Sequence, residues 1–115
     1  IGTSTVTPVD TDIVLGTEIN MSGALRSIAT SKVWTNGSST VSEDAAPAGM
    51  AQGLTSVVLS HTFTAAADFG AVSESGLFNS TSFNTNGMLA RNTFPAVTIN
   101  NGDSITITWT FNVGD

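Results

Sequence analysis

Asp103-Ser104-Ile105-Thr106-Ile107-Thr108-Trp109-Thr110-Phe111-Asn112-Val113 is the stretch that decides the fold. Ile105, Ile107, Trp109, Phe111 and Val113 take every second position, with Thr106, Thr108, Thr110 and Asn112 between them. Side chains alternate across a strand, so one face is apolar and the other polar. A helical period near 3.6 would scatter the same stripe around its axis. β-branched and aromatic residues also suit a pleated surface. Burying each large apolar side chain stabilises by roughly 1.5–3 kcal/mol, so this face needs an apolar partner. Other strands are the only candidates.

Working outward, 54–64 repeats the pattern, with Val57, Leu59, His61 and Phe63 on one face. Strands are also expected at 71–78, at 88–94 and, beyond an interruption at Pro95, at 97–99. Pro95 has no N–H to give, so it must lie at an edge or a bulge. Asn36-Gly37, Asn86-Gly87 and 100–103 are turn signals. At 25–34 the faces are mixed, with Arg26, Ile28, Thr30, Lys32 and Trp34 on one side. An edge strand or assembly surface is expected there. Residues 38–52 read as a long loop, with a short strand around 40–42. Residues 1–9 read as extended or irregular, and 10–19 as the one place for a short helix, capped by Asp10, Thr11 or Asp12. The expected fold is all-β, an antiparallel β-sandwich or flattened barrel with at most one short helix near the N-terminus. The expected core is Leu59, Phe63, Leu77, Leu89, Ile105, Ile107, Trp109 and Phe111.

The chain of 115 residues reads as a single domain, 1–115, long enough for a core of its own. Because it opens on Ile1 rather than Met, leading residues are expected to be missing. Charged residues are only 10%, while Ser, Thr and Asn make up roughly a third of the chain. Much of the surface is therefore hydroxyl and amide. The net charge is −6 and the only cations are Arg26, Lys32 and Arg91. No basic cluster exists to displace counterions from phosphates, which argues against nucleic acid and an anionic membrane surface. With no cysteine, disulfides and thiolate metal sites are excluded. No apolar run approaches the ~20 residues of a membrane helix.

Little in the sequence points to chemistry. His61, the one histidine, lies on the apolar face of its strand and reads as a packed residue. A zinc site needs three or four nitrogen or sulfur ligands. No Gly-x-Ser-x-Gly elbow is present. Asp10-Thr11-Asp12 and Glu43-Asp44 lack calcium-loop spacing and read as turn carboxylates. The Asn-x-Ser/Thr tripeptides at Asn20, Asn36 and Asn79 are too readily produced by this composition to carry weight. Glu74 and Arg91 stand out, because each falls mid-strand among apolar neighbours and a buried charge needs a partner. They are expected to pair across neighbouring strands and fix the register. No catalytic residue, cofactor or metal is assigned; the candidates are structural or assembly residues, Glu74, Arg91, Trp34 and Trp109.

Two stretches carry a resemblance. The first is Ile1-Gly2-Thr3-Ser4-Thr5, then Pro8, Asp10 to Asp12, and Leu15-Gly16-Thr17-Glu18-Ile19. The second is Ala71-Val72-Ser73-Glu74-Ser75-Gly76-Leu77-Phe78-Asn79, then Gly87-Met88-Leu89-Ala90-Arg91, Thr93-Phe94, and Gly102-Asp103-Ser104 to Trp109. Together they resemble small tailed-bacteriophage virion proteins variously labelled tail fibre, tail-collar or structural protein. Ser4 replaces that group's usual glycine, Ile13-Val14 its usual Thr-Ala, and 38–53 has no counterpart. The resemblance implies a non-enzymatic virion structural protein, located in the particle and assembled in the bacterial host cytoplasm. Its partners would be other virion proteins and copies of itself, as a capsid decoration (cement) protein or a tail-fibre or collar component. A compact chain without shaft repeats favours decoration. The alternative is a carbohydrate-binding adhesin module, with Trp34 beside Arg26 and Lys32 as a platform for a host-surface glycan. A hydrolase is a distant third.

Overall fold

A computed structural model describes residues 1–37, 39–42 and 54–113. Six strands follow in order: β1 (Ser31–Asn36), β2 (Ser39–Ser42), β3 (Leu54–Thr64), β4 (Gly70–Phe78), β5 (Met88–Ile99) and β6 (Ser104–Asn112). The fold is all-β, its strand pairings are antiparallel, and no helix occurs among the described residues. One sheet has the order β2-β1-β3-β6, and β4 and β5 form the other. By contacts the chain divides into two compact units: Ile1–Ser27 with Phe63–Ile105, and Ile28–Thr62 with Thr106–Asp115.

Along β3 and β6 the alternation seen in the sequence sets the structure. Along β6 exposure alternates at every step, with Ile105, Ile107, Trp109 and Phe111 partly covered and the residues between them exposed. Hydroxyl pairs join β6 to β3, Thr62 to Thr106 at 2.8 Å and Thr64 to Ser104 at 3.0 Å. β3 has the bounds expected. Asn36 faces Ser39 across a tight turn in which Gly37 takes a φ of 57°, a conformation that favours glycine. This hairpin corrects the expectation for 25–34. The strand begins only at Ser31, and β1 lies between β2 and β3 rather than at an edge. The rest of the long loop expected over 38–52 lies outside the described residues.

The first unit holds the tightest packing. Its buried apolar side chains are Ile1, Leu15, Ile19, Ala24, Phe63, Ala65, Phe69, Val72 and Ile99. Of the expected core only Phe63 is among them. Leu89 is 69% exposed, and the register supplies the reason. Leu77 pairs with Ala90 and Phe78 with Met88, so Leu89 is the extra residue of a bulge and turns outward. Val113 lies beyond the end of β6 and is exposed. A second irregularity falls where Val72 faces Val97 and Glu74 faces Thr93, and Pro95 sits within it.

No helix forms at 10–19. Asp12 bonds back to Val9 through both its N–H and its carboxylate, closing a turn. The irregular N-terminal segment instead threads between two others. The Gly2 N–H donates to the Glu74 carbonyl, the Ser73 N–H to the Gly2 carbonyl, the Thr3 N–H to Thr17 and the Ile19 N–H to Ile1. A Cβ at Gly2 would run into the Glu74 carboxylate and the Thr17 carbonyl, so close approach requires glycine here.

Leu15, 4% exposed, and Leu89 test where the core lies. Leu15→Ala should destabilise by about 2–5 kcal/mol. Leu89→Ala should stay within about 0.5 kcal/mol. Urea unfolding midpoints at constant m-value would measure both.

Candidate functional site

The polar centre of the first unit is a carboxylate. Glu74 is fully buried. It lies on β4 where that strand breaks register, and its carboxylate meets backbone from two further segments. Oε1 accepts from the Thr17 N–H at 2.7 Å and the Ser4 N–H at 3.2 Å. Oε2 accepts from the Gly16 N–H at 3.0 Å and from Arg91 Nε at 2.9 Å. Four donors match the roughly four lone-pair sites of an ionised carboxylate.

Arg91 reaches this carboxylate from β5, where it sits opposite Gly76. Its side chain is 3% exposed. One terminal nitrogen donates to Asp12 at 2.8 Å; the other donates to the Val6 carbonyl at 3.0 Å and to Ser4 Oγ at 3.3 Å. The pair expected from the sequence forms, and with it a network that the sequence did not reveal. Burial works against the Arg91 charge, but hydrogen bonds to Glu74 and Asp12 outweigh it and raise its pKa. The Asp12 carboxyl is lowered by its bond from the Val9 N–H and then by Arg91. Beside Arg91 opens a cleft of about 460 Å³ whose walls include Val6, Ile13, Val14 and Leu15.

A second ion pair lies elsewhere in the same unit. Arg26 donates from Nε and a terminal nitrogen to Glu18, at 2.6 and 2.9 Å. The side chains are 4% and 6% exposed. The guanidinium also lies 3.5 Å over the Phe78 ring and donates to the Thr85 carbonyl. Glu18 further accepts from the Asn84 N–H, so this pair ties down the 79–87 connection. Glu18 and Phe78 thus give the Arg26 charge a buried partner. No sequence period signals this pair, since both partners lie outside the strands.

Trp34 sits mid-β1, half-buried, opposite Val41 and Val57. On β6, Trp109 stacks on Phe111 with ring centroids 6.1 Å apart. Its indole N–H is buried with no hydrogen-bond partner among the described residues. His61 is half-buried on β3. Among the described residues no three His, Cys, Asp or Glu side chains converge. Chemically, the Glu74 network can hold segments together. Its carboxylate has no lone pair left to receive a substrate proton.

Compared with protein-family models, curated proteins and solved structures, the chain matches none.

Glu74→Gln should destabilise by about 3–5 kcal/mol, because it removes the buried counter-ion of Arg91, leaves only the part-exposed Asp12, and puts an amide where four donors converge. Arg91→Met should cost a similar amount, and the double variant should cost clearly less than the sum, as a double-mutant cycle would record. The Asp12 pKa lies below its unfolded value, so its contribution is complete above that value and is lost as pH falls through the folded one. Below about pH 4, Asp12→Asn should therefore lose less stability per pH unit than the parent chain. Urea titrations across that range would check the slope.

Proposed function

We propose that the chain is a non-enzymatic structural protein of a tailed-bacteriophage particle, repeated on it as a capsid decoration protein or a tail-fibre or collar component. One observation carries the reading. The two stretches that resemble that group are far apart in sequence, and their charged and glycine residues meet in one network. Gly2, Asp12, Gly16 and Thr17 come from the first stretch, Glu74 and Arg91 from the second, while Ser4, where this chain departs from the group, joins the same network. Part of the resemblance thus falls on residues that hold the first unit together, which is what a shared fold would keep. A surface rich in hydroxyl and amide groups suits a subunit covered by copies and neighbours. Decoration is favoured over a fibre, since the sequence has no shaft repeat. The adhesin reading gains no support, because Arg26 is engaged with Glu18.

The test is quantitative mass spectrometry of gradient-purified particles, followed by separation of heads from tails. The chain should sediment with the particles in many copies and follow the heads. Following the tails would select the fibre or collar role. A chain found only as free protein in the lysate would overturn the proposal. Retention of the free protein on a host-glycan array, lost on Trp34→Ala, would favour the adhesin alternative instead.

A further inference from the structure

β6 ends the β2-β1-β3-β6 sheet, with β3 on one side and no strand on the other among the described residues. In an antiparallel strand the N–H and C=O of one residue point the same way, and successive residues point in opposite directions. The Val113 N–H donates to Thr55 and the Asp103 carbonyl accepts from Ala65, both at 2.8 Å, so odd-numbered residues face β3. Ser104, Thr106, Thr108, Thr110 and Asn112 therefore turn their backbone groups toward the open edge. All of them are exposed.

Edges of this kind are usually blunted by charge, proline or a bulge. β5 carries Arg91, Pro95 and the bulge at Leu89. β6 has no charge and no proline, and its exposure alternates without interruption. In a chain of net charge −6, copies repel one another, and a charge-free strand is where they can approach.

We propose that β6 is a self-pairing edge, at which a second copy of this chain adds antiparallel about a two-fold axis through Thr108. This names the surface by which copies would repeat and in that sense rests on the structural reading above, although its geometry stands without it. The register follows from the outward groups. Thr108 faces Thr108 of the second copy, Thr106 faces Thr110, and Ser104 faces Asn112, each exchanging N–H and C=O groups. The same register sets Ile107 opposite Trp109 and Ile105 opposite Phe111. β-branched and aromatic side chains then meet in pairs that stabilise sheets. On the other face, the hydroxyl row begun by Thr62–Thr106 and Thr64–Ser104 continues into the second copy. An isologous contact needs this property, since the same strand must complement itself.

The chain has no cysteine, so single-cysteine variants report the register cleanly. Directly opposed residues of a hydrogen-bonded pair lie about 5.5 Å apart between Cα atoms, within disulfide reach. Under mild oxidation Thr108→Cys should become a covalent dimer, while Ser104→Cys, opposite Asn112, should not. In sedimentation equilibrium the parent chain should be dimeric. Thr108→Pro should be monomeric with an unchanged far-UV spectrum, because it removes only an outward N–H. A monomeric parent at every concentration tested, or a dimer in which Thr108→Cys does not cross-link, would overturn the inference. The particle measurement above is separate. A monomer found in particles would sink this edge and leave the virion reading standing, and a cross-linked dimer absent from particles would do the reverse.

Discussion

A carboxylate removed from water must have its charge matched and its lone pairs filled, and Glu74 imposes that condition on the first unit. Its donors come from Ser4, from Gly16 and Thr17, and from Arg91. An apolar residue at the same place could be covered by many arrangements of these segments. A carboxylate with four directed donors accepts very few. Replacing a buried ion pair by apolar residues of similar volume is often neutral or stabilising, so stability alone does not explain such a network. Its effect here is to select one path for the N-terminal segment. Residues 1–6 make only scattered backbone bonds, through Gly2, Thr3 and Ile1. The carboxylate, Arg91 and the Ser73 hydroxyl, which donates to the Ser4 carbonyl, add to these.

The Glu18–Arg26 pair extends the same logic to the 79–87 connection. That segment has few apolar anchors, and Phe83 is exposed. Arg26 instead fixes it by donating to Thr85, while Glu18 receives the Asn84 N–H. Arg26 also covers the Phe78 face, a contact that gains from desolvation of the cation. A chain with only 10% charged residues thus commits both of its arginines internally. A guanidinium fork suits the task better than an ammonium, because its several donors lie in fixed directions and can join a carboxylate to backbone carbonyls at once.

How much of this was legible depended on range. The alternation in β3 and β6 is local and strict, so the all-β class and both strands followed from composition at every second position. Turn glycines at 37, 87 and 102 were likewise readable, and all three take positive φ. Glu74 and Arg91 could be matched because few cations were available and each fell within an apolar strand. Three features could not be read. A bulge shifts the face of every residue beside it, and nothing in Met88-Leu89-Ala90 marks the extra residue. The strand around 40–42 and its Asn36-Gly37 turn were readable, but not that β2 would pair with β1 and move it from edge to interior. The N-terminal segment contributes Ile1, Leu15 and Ile19 to the core through single bridges, which leave no period to detect.

These ranges also bear on what a resemblance can mean for this chain. Part of what carries it is the Glu74 network, with Gly2, Asp12, Gly16 and Thr17 from the first stretch and Glu74 and Arg91 from the second. Such residues are constrained because each donor answers a particular acceptor, and a change at one leaves a buried group unmatched. Their agreement across proteins would therefore report a common way of closing the fold. The exposed hydroxyl row of β6 is under no such constraint, although Ser104 to Trp109 also belong to the resemblance. On this division, the interior fixes how the chain closes, and what it touches is set at its edges.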